Sequence, residues 1–166
     1  MNAPVSIEWT RDPAELEQTA KFFARVISND PSYISHGEIQ TALSLDGMTW
    51  RSDLEMRFIE SMRNIDSARG VVLARNEAHE LVGASIVHWS QESAEAPFAT
   101  IEDLAVEPAN RKSGVGASLV RAIVLEARAK GMRWLMLESG KRNHAAHAFF
   151  EGQSFELISH VFARKL

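Results

Sequence analysis

Cysteine is absent from the chain. That excludes a disulfide framework, thiolate metal sites and a cysteine nucleophile together. Tyrosine is almost absent, with Tyr33 the single phenol. No apolar run approaches the ~18 residues that a membrane helix needs. Positive charge is not in excess: 18 Lys and Arg face 22 Asp and Glu, a formal net charge of −4 with a pI near 5.9. Broad electrostatic attachment to nucleic acid is disfavoured by that balance, and a cationic or zwitterionic small partner suits it better. Met1 to Val5 show no basic n-region followed by an apolar stretch, so no signal peptide is read and the expected location is cytoplasmic. What remains is 166 residues, 45% hydrophobic and 24% charged, the composition of one globular domain with an ordinary core.

Periodicity divides the chain into short elements. Val5 to Trp9 alternates as a strand. Asp12, Pro13 and Glu15 form a helix-start signature with a capping-box carboxylate, and Leu16, Ala20, Phe23, Val26 and Ile27 recur at helical spacing to about Ser28. Ser35 to Glu38 can begin a short helix, and Ser52 or Asp53 opens another with Leu54, Phe58, Ile59 and Met62 on one face. Met48, Met56 and Met62 read as core. Residues 70–75 and 81–89 predict a hairpin, 91–97 a polar loop and 98–106 a further strand. From Gly114 a helix presents Val115, Leu119, Ala122 and Ile123, capped near Gly131. Trp134 to Leu137 is wholly apolar and predicts a central strand. Asn143 to Glu151 predicts a helix closed by Gly152, with a last strand within Phe155 to Ala163. This order predicts a single-domain α/β protein built on one mixed sheet, covering residues 1–166.

The segment Val106-Glu107-Pro108-Ala109-Asn110-Arg111-Lys112-Ser113-Gly114-Val115-Gly116-Ala117 carries the chemistry. A strand ends, Pro108 turns the chain, and a basic glycine loop opens a long helix. Free N–H groups at the helix start, the helix dipole and close backbone approach at glycine make an anion site. A dinucleotide fingerprint fails because Leu119 occupies its third glycine position and the loop follows a late strand. A Walker loop fails for lack of a closing Gly-Lys-Ser/Thr.

Arg111-Lys112-Ser113-Gly114-Val115-Gly116 resembles the pyrophosphate loop, Arg/Gln-x-x-Gly-x-Gly/Ala, of the GCN5-related N-acetyltransferase (GNAT) superfamily. Asn143-His144-Ala145-Ala146-His147-Ala148-Phe149-Phe150, ending in Ser154-Phe155, is similar to that family's Asn-x-x-Ala-x-x-Phe-Tyr…Gly-Phe helix. The resemblance is tight over residues 70–166. It implies a GNAT-like fold that binds acetyl-CoA as co-substrate through about residues 98–155, in a cleft where the strands around 98–106 and 134–139 splay apart. The backbone of Leu104, Ala105 and Val106 would pair with the pantetheine arm, and the amides of Arg111, Lys112, Ser113, Gly114, Val115, Gly116 and Ala117 would hold the pyrophosphate. Asn143 would contact the pantetheine or acyl end, with Phe149 and Phe150 in the same motif.

Direct transfer of an acetyl group to an amine needs a base. An alkylamine with pKa near 10.4 is neutral in only about 0.04% of molecules at pH 7, equivalent to roughly 4–5 kcal/mol. Simple strand alternation puts Glu102 and Asp103 on opposite faces, Glu102 with Leu104 and Val106. Similar acetyltransferases use a glutamate here through water, so Glu102 is the candidate base; the other reading is a strand-edge charge or an arginine partner. Asp103 reads as structural. Phe150 departs from the family, which commonly has a tyrosine acid at that place. Water, His144, His147 or Tyr33 could supply the proton instead, although each side chain also reads as packing or surface. Ser154 replaces a glycine and touches only the local turn.

The acceptor side is expected among residues 30–69 and 91–107. The first holds seven acids (Asp30, Glu38, Asp46, Asp53, Glu55, Glu60, Asp66) against four arginines. The second holds five acids (Glu92, Glu95, Glu102, Asp103, Glu107) and no base. Such a tilt steers a cationic amine or peptide amino group; a solvated acidic surface is the plainer reading. Tyr33, His36 and Trp50 are candidate pocket residues or core. Six scattered histidines give no ligand set, so no metal is expected. A CoA-binding sensor without turnover and a cofactor-free interaction module are the rival functions, and a homodimer rests on family analogy alone.

Overall fold

The computed structural model describes residues 4–90, 92 and 94–166. Met1 to Ala3 of the leader reading, and Gln91 and Ser93 of the predicted polar loop, lie outside the described residues. The elements are β1 (Ser6–Thr10), α1 (Pro13–Ile27), α2 (His36–Gln40), α3 (Leu54–Arg63), β2 (Arg69–Arg75), β3 (Leu81–Ser90), β4 (Phe98–Val106), α4 (Val115–Ala129), β5 (Trp134–Leu137) and α5 (His144–Gly152). Short 3-10 turns occupy Pro31–Tyr33 and Pro108–Asn110.

Local chemistry starts the first helix as expected. The Asp12 carboxylate accepts from the amides of Ala14 and Glu15 at 2.9 and 3.0 Å, satisfying two of the donors that a helix start leaves open. Glu15 does not return the capping-box bond; it accepts from the Thr10 hydroxyl and pairs with Arg75. The reciprocal box forms instead at α2, between Ser35 and Glu38.

Five strands form one sheet in the order β1-β2-β3-β4-β5, antiparallel except for the parallel β4–β5 pair. One core lies on the face covered by α1 and α3, where Phe23 stacks on Phe58 at 5.7 Å among Leu16, Leu54, Met62, Val71, Leu73 and Ile86. The other holds Val115, Leu119 and Ile123 of α4 against Val72, Val87, Ala99 and Ile101. Covering both faces keeps the sheet dry and leaves function to the ends and edges of the strands. No helix among the described residues is long and apolar enough to cross a membrane.

Three expectations change. Met62 is core, but Met48 and Met56 are exposed; the methionines do not share one face because Met48 precedes α3. β5 is an edge strand with β4 as its sheet neighbour, not a central one. The predicted strand within 155–163 is not formed, and residues 156–166 are exposed and without regular structure.

Candidate active site

β4 and β5 pair only from Phe98↔Trp134 to Ile101↔Leu137. Beyond that point β4 continues to Val106 while β5 has ended, so Leu104, Ala105 and Val106 have no partner strand on that side. This is the place where the motifs imply a cleft.

At the start of the splay β4 carries a bulge. Asp103 opposes Ile86 and Ile101 opposes Val87, so Glu102 is the extra residue. A bulge breaks the strict alternation of faces. Glu102 therefore does not join Leu104 and Val106: its carboxylate lies with Arg69, two residues before Val71 on the α1–α3 side, accepting from Nε and Nη2 at 2.8 and 3.0 Å. Asp103 opposes Ile86 of the same core. Two consecutive carboxylates thus lie on the face that α1 and α3 cover. Burial pushes the Asp103 carboxyl well above the usual range, and the negative charges of Glu38 and Glu102 add to the effect, because a second or third negative charge is costly where water is scarce.

The glycine loop has the geometry of an anion cradle. Lys112 and Gly114 sit at φ +63° and +90°, and Gly114 caps α4 without a side-chain bond. The first intrahelical bond runs from the Ser118 amide to the Gly114 carbonyl, so the amides of Val115, Gly116 and Ala117 belong to the unsatisfied first turn. Ser113 ties the loop down by donating from its hydroxyl to the Asn110 carbonyl at 2.6 Å. Arg111 is turned back: its Nε donates to the Val106 carbonyl at 3.3 Å, and its guanidinium reaches toward the Tyr33 hydroxyl. Lys112 is exposed. The loop's backbone, more than its guanidinium, therefore faces outward for a ligand, and these residues fit a pyrophosphate.

The second motif packs directly on the first. A Cβ on Gly116 would lie 3.0 Å from the Phe149 ring, so the ring rests on the first turn of α4. Phe150 is wedged between Phe149 and Phe155, with ring centroids 5.0 and 5.6 Å away. Asn143 is 9% exposed and caps α5 by accepting from the Ala146 amide. His147 Nε2 lies 3.0 Å from the Gly140 carbonyl oxygen, while His144 is exposed.

The opposite rim was only half visible in the sequence. The Glu138 carboxylate accepts from the Ser35 hydroxyl and the Gly37 amide and meets His36 Nε2 at 3.0 Å. Arg142 donates to the Pro31 carbonyl at 3.4 Å. The segment 31–38 is thereby tied to the chain just after β5. Tyr33 packs on the α1–α3 core, and burial pushes its phenol up so that it stays protonated. Trp50 packs on the same core and donates to the Asp30 carbonyl. The acidic tilt is narrower than the count of residues suggested: Asp53 is paired with Arg51 and Arg57, Glu102 and Asp66 with Arg69, and Glu107 with Arg25. Glu138, Arg69 and Ser35 were not singled out as site residues. The available signal was Glu138's place directly after an apolar strand, where α/β sheets put their ligands. No group of three or more His, Cys, Asp or Glu side chains among the described residues could hold a metal ion.

A family model described as the acetyltransferase (GNAT) family matches residues 38–155. No curated protein matches the chain. Among solved structures the chain is similar to a transcriptional regulator from Bacillus halodurans C-125, with 20% identity, 98% of this chain and 100% of that chain covered, and TM-score 0.70. It is similar to an aminoglycoside N-acetyltransferase in complex with CoA, at 15% identity, 99% and 97% coverage and TM-score 0.71. A ribosomal-protein-alanine N-acetyltransferase from Brucella melitensis biovar Abortus 2308 gives 15% identity, 98% and 100% coverage and TM-score 0.67. At these identities the likeness is one of fold.

Proposed function

Since the chain belongs to the GNAT acetyltransferase family, whose members use acetyl-CoA, we propose that it moves an acetyl group from acetyl-CoA directly to a primary amine of a small cationic molecule or an exposed peptide amino group, in the cytoplasm. The observation that carries this reading is the end of the β4–β5 pairing at Ile101, together with the start of α4, which has no side-chain cap, and two carboxylates at the bulge. Acetyl-CoA supplies an activated thioester. The amides of Gly114 to Ala117 hold the pyrophosphate, the edge of Leu104 to Val106 lines the pantetheine arm, and Phe149 props the loop. Glu102, oriented by Arg69, takes the ammonium proton of the acceptor through water, a role worth typically 10²–10⁴-fold. The freed amine nitrogen then bonds to the acetyl carbon as the carbon–sulfur bond breaks, the sulfur leaves as thiolate, and the nitrogen's surplus proton passes to water. Phe150 cannot protonate it, which a thiol near pKa ~8.5 tolerates.

A second assignment of the base has its own support. Both Glu102 oxygens are engaged by Arg69, whereas Asp103 is adjacent and its affinity for protons is raised. Glu102→Gln and Asp103→Asn separate the two: the variant that loses at least 100-fold in kcat with the KM for acetyl-CoA unchanged identifies the base.

The cofactor is tested by thermal shift with acetyl-CoA, CoA, ATP and NADH side by side. At 100 times Kd a ligand adds about 2.7 kcal/mol, or roughly 5–10 °C for a domain of this size. A shift with the two CoA species alone is expected. An equal shift with ATP overturns the reading of the loop. Binding of CoA without turnover on any amine selects the sensor instead.

A further inference from the structure

Phe150 offers no acid to the departing sulfur, but α5 holds an imidazole one turn before it. His147 follows Asn143 by four residues and precedes Phe150 by three, so the three share one side of the helix. Its part-buried ring is fixed through one nitrogen. Nε2 lies 3.0 Å from the Gly140 carbonyl oxygen, which also accepts the Asn143 amide at 2.8 Å. A carbonyl accepts and never donates, so Nε2 carries a hydrogen whether the ring is neutral or cationic. Gly140 is held in turn, because a Cβ there would collide with the carbonyl oxygens of Ser32 and Ile34. Nδ1 is therefore the nitrogen that gains and loses a proton. The His144 ring meets the His147 ring edge-on at 5.8 Å, and among the described residues Nδ1 has no hydrogen-bond partner.

The place suits the sulfur better than the phosphates. α5 runs from the exit of β5, where Asn143 and His147 share the Gly140 carbonyl, to the start of α4, where Phe149 rests on Gly116. The stretch of β4 without a partner strand begins just past the Ile101↔Leu137 pair and ends at the same loop. A cofactor with its pyrophosphate on the amides of Gly114 to Ala117 and its pantetheine along Leu104 to Val106 brings its sulfur to the β5 exit. On that reading of the cofactor site, we propose that His147 is the proton donor to the sulfur that leaves acetyl-CoA. The Nδ1–H bond of the imidazolium breaks, its electron pair stays on Nδ1, and the hydrogen forms the S–H bond of CoA. The neutral ring keeps its Nε2–H on Gly140 and takes a proton back from water, which has received the surplus one from the acetylated nitrogen. The other candidates stand elsewhere: His144 is exposed, and Tyr33 lies beside Arg111 of the loop, with burial holding its proton.

The test is nitrogen NMR on the full isotope-labelled chain, with CoA and desulfo-CoA, which has hydrogen in place of the thiol, as probes. Calorimetry on the same samples reports whether each probe binds. The free chain is expected to show neutral His147 as its Nε2–H tautomer. CoA is expected to move the Nδ1 resonance toward its protonated position, and desulfo-CoA to bind and leave it in place. The opposite tautomer in the free chain overturns the proposal, and so does an equal response, or none, to two probes that both bind; the cofactor reading then stands. Binding of neither probe overturns that reading and this proposal with it. In turnover, His147→Gln keeps an N–H donor for the Gly140 carbonyl and is expected to lower kcat about 100-fold, the low end for general acid–base catalysis, with the KM for acetyl-CoA unchanged. An unchanged kcat, or a loss confined to KM, overturns the assignment.

Discussion

Asp103 is the residue whose surroundings differ most from what its neighbours in sequence suggest. Alternation separates it from Glu102, and the bulge brings the pair to one layer. An inserted residue is invisible to periodicity because it depends on the partner strand. The raised proton affinity of Asp103 has a definite sign for stability. Folding favours its protonated form, so its unfavourable contribution is absent at low pH and grows as pH rises through the range between the unfolded and folded values. Asp103→Asn is therefore expected to match wild type in thermal unfolding below about pH 4 and to exceed it at pH 8. A difference independent of pH would place the carboxyl in water. Glu102, by contrast, was readable as either a base or an arginine partner. The structure supplies the arginine, Arg69, which lies 33 residues earlier and so escapes any local motif.

Among the elements, α4 and its loop were the most legible. Glycine spacing, a preceding strand and a wide apolar stripe each have local physical causes, and of the four residues on the stripe Val115, Leu119 and Ile123 are buried while Ala122 is partly so. Gly114 is needed for its left-handed backbone at φ +90°. Gly114→Ala is expected to cost about 1–2 kcal/mol and, if the proposed pyrophosphate site is right, to weaken CoA binding at least tenfold by calorimetry, because the strain falls on the amides assigned to the phosphates. Gly116 is needed for space. In Gly116→Ala the new methyl meets the Phe149 ring, so Phe149→Leu introduced alongside should recover part of the lost affinity. If the double variant binds no better than Gly116→Ala, the ring is not what the glycine accommodates. The segment after α5 was legible as a strand from composition, yet it forms none within one chain.

At the scale of the whole molecule, one mixed sheet with helices followed from the order of elements, but the bridge between residues 31–38 and 138–142 did not. It is made by polar side chains and close backbone packing without a repeating pattern. Gly140 marks its tightest point, where a Cβ would collide with the carbonyl oxygens of Ser32 and Ile34. Backbone cannot yield as a flexible side chain does. Gly140→Ala is thus expected to lower the unfolding temperature and to reduce acetyl transfer, with Glu138→Gln, which keeps the shape of the side chain, falling between it and wild type. Equal activity for all three would make the bridge incidental.

That bridge also bears on the order in which the protein assembles. The Ser35–Glu138 bond joins residues 103 apart in the chain, whereas the β2–β3 hairpin and the β3–β4 pair close short loops. Loop-closure entropy delays contacts between distant parts of a chain. Sheet and helices can therefore form before the rim of the cleft is joined, and recovery of activity during refolding should lag behind recovery of secondary structure.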